Sequence, residues 1–445
     1  MSDELCIQAS DFDSLKAHLL GAAEERCAIL FASQSKRSDG QIRFLVREVD
    51  YPTEAEYSRQ GELEAELKPA LVARVSKHAK INGLSLIFVH THPGDRPPIF
   101  SPVDDRGELV LSDFLKSRLG SGENASLVMS NGGVRARILG QHDELRVVVV
   151  GRRRAVVFEP GLDGPSTSDM FDRQVRAFGA AGQQRLADTR VAIVGLGGTG
   201  SIAAQQLVHL GVRRFILIDP DIIEVTNLNR VVGATAQDVG APKVAVAARY
   251  IRSFSPDAEI ATWQGDVVHD VTARTMIDAD LILLCTDSHG SRSVVQQVAY
   301  QHLIPCIDMG STITQSDSQI TGIFGRVQLL SPGLPCLWCS ALLDAEQVRR
   351  DMMNESERRL DPYIPGSREP APSVVSLNGT VVSLAVSMLL GVVAGAPFDA
   401  THLIYNGQAS SLRSVRGEAR STCFICSRDG ALAWGSNRQL LTRRD

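Results

Sequence analysis

Apolar and polar positions fall into blocks that read alternately as strands and helices. Phe12, Leu15, Leu19 and Leu20 recur at helical spacing and predict a helix over 11–24. Residues 27–32 form a continuous apolar run, which predicts a buried strand. Residues 42–49 predict its partner across the Ser38-Asp39-Gly40 turn. Residues 56–81 fit a helix that Gly61 and Pro69 can interrupt. A strand over 84–89 runs into His90-Thr91-His92-Pro93, and 147–150 predicts the last strand of this region. Further on, an apolar run at 191–194 meets Gly195-Leu196-Gly197-Gly198-Thr199-Gly200, then a helical pattern to about 210, then a second run at 215–218 that stops at Asp219. That is strand, tight turn, helix, strand, the opening unit of a dinucleotide-type fold. Residues 281–284 are a later strand ending in Cys285-Thr286-Asp287, and 374–390 is apolar nearly all round, as a buried helix is.

The pattern is α/β throughout. The Gly, Pro, Ser and Thr of 161–168 have linker composition, so we expect a domain over 1–155, a linker over 156–168 and a second domain over 169–445. Apolar content is 44% and net charge is −5, which argues against nucleic acid or an anionic membrane as main partner. No apolar run approaches 18 residues, so no membrane span is expected, and the acidic start Met1-Ser2-Asp3-Glu4-Leu5 is not a secretory signal. The eight cysteines include two Cys-x-x-Cys pairs, which suggests metal in a reducing, cytoplasmic setting.

His90 and His92 are two apart at a strand end, and period 2 puts both imidazoles on one face. With Asp104 and a water they can complete a tetrahedral zinc site with one open position, Ser101 lying three residues before the acid. The bland alternative is a surface loop whose acids cap the next helix. Glu25-Arg26-Cys27, His-x-His-Pro and Ser-x-x-Asp together resemble the JAB/MPN metallopeptidases. The resemblance implies an α/β metallopeptidase domain, with Glu25 as general base, His90, His92 and Asp104 as ligands of a catalytic zinc, and Ser101 as oxyanion support. Eight residues separate His92 from Ser101, one more than that family's pattern.

In the second region, glycines let backbone approach a phosphate, and a helix start offers N–H donors. A dehydrogenase would fit the loop and Asp219 alone. Beyond them come Thr226-Asn227-Leu228-Asn229-Arg230 and Pro242-Lys243, which supply cations for distal phosphates, and Asp287 is placed for Mg²⁺. From Arg173-Gln174 to Thr286-Asp287-Ser288 the chain resembles the ThiF/MoeB/HesA family. The resemblance implies a Rossmann-like, doubly wound domain that adenylates the C-terminus of a ubiquitin-like or sulfur-carrier protein. It further implies that Gly195, Gly197 and Gly200 line the phosphates of ATP and that Asp219 holds the ribose. Asn227, Arg230 and Lys243 would contact phosphate or carboxylate, and Arg173 would reach a partner subunit of a homodimer. Thr226 and Val231 replace that family's usual Ser and Gln.

Cys336, Cys339, Cys423 and Cys426 read as a closed structural zinc site, a second Zn²⁺. The loop over 362–372 holds no cysteine where many ubiquitin-activating relatives carry one, and Ser367 is the nearest alternative nucleophile. A separate conjugating enzyme is the further partner the resemblance implies. The expected whole is a fusion that activates a ubiquitin-like C-terminus and hydrolyses bonds made by it; the alternatives are a sulfur-carrier adenylyltransferase with a carrier-processing peptidase, and an adenylation enzyme whose first domain only docks.

Overall fold

The computed structural model describes residues 3–62, 64–120, 122–161, 169–316, 319–354, 357 and 372–443. Of the linker expected over 156–168, residues 162–168 lie outside those residues, as does Ser367. The chain divides into two units. One is Met1–Asp163 with Gln301–Leu303 and Ala431–Gln439; the other is Gly164–Tyr300, Ile304–Gly430 and Leu440–Asp445.

The first unit runs β1 (Glu4–Gln8), α1 (Ala9–Leu19), β2 (Cys27–Lys36), β3 (Ile42–Asp50), β4 (Tyr57–Gln60), β5 (Ala65–Leu67), α2 (Pro69–Asn82), β6 (Ser85–Thr91), α3 (Pro102–Leu119), β7 (Ala125–Ser130), β8 (Gly133–Ile138), β9 (Glu144–Val150) and β10 (Arg154–Phe158). An eight-stranded sheet has the order β1-β3-β2-β6-β7-β8-β9-β10, and β1 also pairs in parallel with β9, which curls the sheet back on itself. Leu5, Ile7, Leu30, Phe44, Val46, Leu127 and Val147 fill its inner side with α1. Ile29, Phe31 and Leu86 on the other side pack on Leu71 and Val75 of α2 and Leu115 of α3.

Three expectations are corrected here. The helix expected over 56–81 is a short hairpin, β4–β5, followed by α2, with Gly61 at the turn and Pro69 as the first helical residue. Proline has no N–H to lose at that position, so it starts a helix where it would break one. The helix expected over 11–24 spans 9–19. And 147–150 is not the last strand: β10 pairs antiparallel to β9, and Arg154 on it is buried 3.2 Å from the buried Glu4.

The second unit runs α4 (Asp172–Asp188), β11 (Arg190–Val194), α5 (Gly198–His209), β12 (Arg214–Ile218), α6 (Lys243–Phe254), β13 (Glu259–Trp263), α7 (Asp270–Arg274), β14 (Leu281–Leu284), α8 (His289–Gln301), β15 (Cys306–Ser316), β16 (Gln319–Leu330), α9 (Ala345–Met352), α10 (Val375–Leu389), β17 (His402–Asn406) and β18 (Ser411–Ser414). The sheet order is β13-β12-β11-β14-β15-β16-β17-β18. The first five strands are parallel and the rest antiparallel. The order reverses between β11 and β14, so a crevice opens beyond their carboxyl ends, where such sheets bind ligands. Helix α10, with the turn after it, is long and apolar enough to cross a membrane, contrary to the expectation from strict apolar runs, but 67% of that window is buried within the chain. Val381, Val382, Ala385 and Leu389 pack in the same core as Leu207 of α5 and Val327 of β16.

Candidate functional site

In the first unit, β6 carries both histidines out at its end. Their rings meet edge to face at 5.0 Å, on one face as period 2 requires. Asp104 sits in the first turn of α3, its oxygens 3.3 Å from His90 Nε2 and 3.6 Å from His92 Nε2. The three ligand atoms lie within 4.8 Å of one another. His90 Nε2 is buried and makes no hydrogen bond, an unsatisfied atom that a metal would satisfy. Two imidazoles and one carboxylate are a zinc donor set with a fourth position left for solvent.

Asp104 is held from behind. Ser101 caps α3, its Oγ accepting from Asp104 N at 3.2 Å, while Asp104 Oδ2 accepts from Ser101 N at 2.6 Å. The bland reading of this Ser-x-x-Asp, a helix cap, is therefore present in the same residues that form the cluster. Burial alone would raise the Asp104 pKa; the two imidazoles and the Ser101 N–H outweigh it and hold the carboxyl well below the usual range. The Asp104 hydrogen bond raises His92. Glu25 is buried just before β2, anchored by its N–H to Gly61 O at 2.8 Å and its carbonyl to Gln60 at 3.0 Å. Burial raises its pKa, and His90 and His92 oppose that shift, so its carboxyl feels the cluster.

Sequence patterns missed Arg137. On β8 it reaches Asp105 at 2.8 Å and Glu108 at 2.9 Å on α3, and it lies 3.9 Å over the Phe100 ring. It fixes the helix that presents Asp104. A buried arginine with two acidic partners leaves no local signature, because its partners come from another element.

In the second unit the glycine loop joins β11 to α5. Gly195 has φ +89°, and a side chain there would meet the Cys285 backbone at 3.0 Å. At Gly200 a Cβ would fall 1.8 Å from Gly195 O, so only glycine closes this turn. Gly197 faces open space. Asp219 is buried at the end of β12, where Oδ2 accepts from Leu196 N at 2.5 Å and Oδ1 from Asp221 N at 2.8 Å. Burial raises its pKa, and Lys243 and those N–H groups oppose the shift.

The structure brings the expected cations beside this loop but gives them internal partners. Lys243 opens α6 with Nζ 2.7 Å from Asp221 Oδ2 and 4.0 Å from Asp219. The Arg230 guanidinium donates to Thr226 O and to Asn229 Oδ1, and its stem passes Gly198. Asn227 is buried and accepts from Glu224 N at 3.3 Å, which shapes the turn before Arg230. Asp287 is exposed in the loop between β14 and α8. Arg173 is exposed on α4. Asp221, the partner of Lys243, was not singled out from sequence; the Asp-x-Asp spacing was the available signal.

The four cysteines of the two knuckles converge within 4.8 Å. Cys336 and Cys423 are 3.5 Å apart, as are Cys339 and Cys426. That is far beyond a disulfide and close to the ~3.8 Å edge of a tetrahedron with Zn–S of about 2.3 Å. Of the other four, burial pushes Cys6, Cys27 and Cys285 up to about 12 and Cys306 well above the ordinary thiol value.

The second unit is thus a doubly wound α/β sheet with a glycine turn, a buried acid and two cations gathered at its switch point. A model of the ThiF family matches residues 171–425, more than half of the chain, and the chain belongs to that family. Among its relatives, the Escherichia coli sulfur carrier protein ThiS adenylyltransferase is 28% identical over 56% of this chain and 90% of its own length. The SAMP-activating enzyme E1 of Haloferax volcanii is 32% identical over 57% of this chain and 85% of its own. A solved structure of E. coli MccB with ATP has a TM-score of 0.48 at 18% identity, covering 60% of this chain and 76% of that one.

Proposed function

We propose that the second unit adenylates the C-terminal carboxylate of a ubiquitin-like or sulfur-carrier protein with ATP. The observation that carries this is the family match laid over a phosphate-sized turn flanked by Lys243, Arg230 and Asp287. Gly195, Gly197 and Gly200 line the phosphates, and Asp219 faces the ribose. Asn227, Arg230 and Lys243 orient the phosphates and the incoming carboxylate. Asp287 offers one carboxylate to a magnesium ion whose other ligands are phosphate and water. The carboxylate attacks the α-phosphorus and pyrophosphate leaves; the nucleophile is already ionised, so the residues position it and stabilise charge. Arg173 serves a second copy in a homodimer. With its four remaining thiols pushed up by burial, this chain favours passing the adenylate directly to an external acceptor, such as a conjugating enzyme or a sulfur donor.

For the first unit the reading is a JAB/MPN-type zinc peptidase acting at the same C-terminus. His90, His92 and Asp104 hold the zinc, Glu25 takes the proton from water, and Ser101 supports the oxyanion. A zinc ion there supplies a water acidic enough to ionise near neutral pH. The unsatisfied His90 Nε2 supports this over a docking-only domain. The four knuckle cysteines hold a second, structural zinc.

The test is ATP–pyrophosphate exchange by the full chain against a panel of ubiquitin-like and sulfur-carrier proteins, with cleavage of C-terminally extended versions of those that respond. Exchange dependent on one carrier, and cleavage lost in Glu25→Ala while exchange persists, is the expected result. No exchange with any carrier sinks the adenylation reading; cleavage equal in wild type and Glu25→Ala sinks the peptidase.

A further inference from the structure

The ends of three neighbouring strands lie in a row. Gly195 N–H donates to Ile218 O at 2.8 Å, and Asp219 N–H donates to Trp263 O at 3.2 Å. The ladder therefore continues past the last paired residues and ties the glycine loop after β11, the buried acid after β12 and the indole at the end of β13 into one edge. The register agrees: Val194 pairs with Ile218, and Ile218 with Trp263. Neighbouring strands are about 4.8 Å apart, so the row spans roughly the length of a nucleoside phosphate.

The chemistry along that row is ordered. The glycine turn takes phosphate, and the acid next to it takes hydroxyls. A nucleotide whose phosphates lie over β11 and whose ribose lies over β12 must send its base away from the phosphates, toward β13. Trp263 is the residue there. Trp263 is 43% exposed at the carboxyl end of an edge strand, while Val194, Ile218 and Leu284 at the neighbouring strand ends are buried. The loop beyond it is fixed. A Cβ at Gly265 would meet Thr272 Oγ1 at 2.7 Å, and Asp266 Oδ1 accepts from Val268 N at 3.1 Å. Trp263 is thus an aromatic surface on a braced backbone, and its own carbonyl accepts from the backbone N–H of Asp219.

We propose that Trp263 is the base-binding residue of the nucleotide site and stacks its indole on the purine. Stacking a base on an aromatic face is tolerant of base identity, so the residue sets affinity for a nucleobase more than the choice among purines. The proposal rests on the reading of the second unit as an ATP site, and the experiment separates the two.

The full-length protein is titrated by calorimetry with AMP, ATP and pyrophosphate, as wild type, Trp263→Ala and Trp263→Phe. Trp263→Ala is expected to weaken AMP and ATP about ten-fold or more and to leave pyrophosphate, which has no base, within about two-fold. Trp263→Phe restores most of the loss. Guanosine and adenosine nucleotides should be weakened alike by the alanine variant. Unchanged AMP affinity in Trp263→Ala overturns the assignment while leaving the ATP site standing. Equal weakening of AMP and pyrophosphate also overturns it, because a loosened sheet edge would weaken both. Failure of the wild type to bind ATP at all removes the nucleotide site and the indole's role with it.

Discussion

The two candidate sites hold their charges in opposite ways. In the first unit His90, His92 and Asp104 bring their ligand atoms within 4.8 Å of one another, and His90 Nε2 is buried without a hydrogen bond. In the second, Lys243 and Arg230 already have oxygen partners from their own chain, Asp221 and Thr226. The first is a candidate metal socket, in which a buried nitrogen without a hydrogen bond lies 3.3 Å from a carboxylate oxygen. In the second, Lys243 is paired with an acid and Arg230 with neutral oxygens, so a phosphate that binds there would displace an internal partner and gain only the difference between the two interactions. Two sites within one chain thus illustrate rigid preorganisation on one side and exchange of partners on the other.

The largest effect should come from the backbone of the cradle. Gly200→Ala places a methyl group against the Gly195 carbonyl, where 1.8 Å is available. Nucleotide binding by calorimetry should be lost, with metal content unchanged; retained binding would mean that the turn opens readily and that the cradle is not preformed. Next comes Lys243→Ala, expected to lower the exchange rate by about two to three orders of magnitude, as removal of a transition-state donor does. Exchange within a few-fold of wild type would show that the Asp221 pair keeps Lys243 from the phosphates.

A smaller effect tests the socket. Ser101→Ala removes a helix cap worth about 1 kcal/mol and one of the bonds that orient Asp104. Zinc affinity, measured by competition with a chelating dye, should fall about ten-fold or more, as loss of an outer partner of a ligand does. If cleavage falls while zinc affinity holds, the serine acts on the substrate and the socket is rigid without it.

What sequence made legible in each site was local. The His-x-His pair follows from period 2 at the end of β6, and the closure of the glycine turn follows from the approach of Gly200 to the Gly195 carbonyl. What was not legible was paired from far away. Strand β1 is held by β9, about 140 residues on, and the acidic start of the chain hid it. The hairpin over 57–67 is too short to show a clear period, and its pairing is set by the turn at Gly61. The partners of Lys243 and Arg137 were hidden for the same reason: charge pairing depends on which elements the fold brings together, and period carries no record of it.

The same contrast extends beneath the cradle, where charge is also neutralised internally. Asp308 on β15 is fully buried between Arg292 of α8 at 3.1 Å and Arg326 of β16 at 2.6 Å. His402 on β17 lies beside them, buried, with Nε2 unpaired. Burial lowers its pKa, the Arg326 charge lowers it further, and Asp308 opposes both. A histidine depressed in the native state binds fewer protons there than in the unfolded chain. Its contribution is therefore complete above the unfolded value of about 6.5 and is lost as pH falls from there through the native value. The slope it adds is at most about 1.4 kcal/mol per pH unit. Denaturant unfolding of the second unit at pH 7 and at pH 5 should show wild type losing more stability than His402→Gln. Equal losses would mean that Asp308 can shield an imidazolium beside two arginines, and that the charges under the cradle are less tightly balanced than their distances imply.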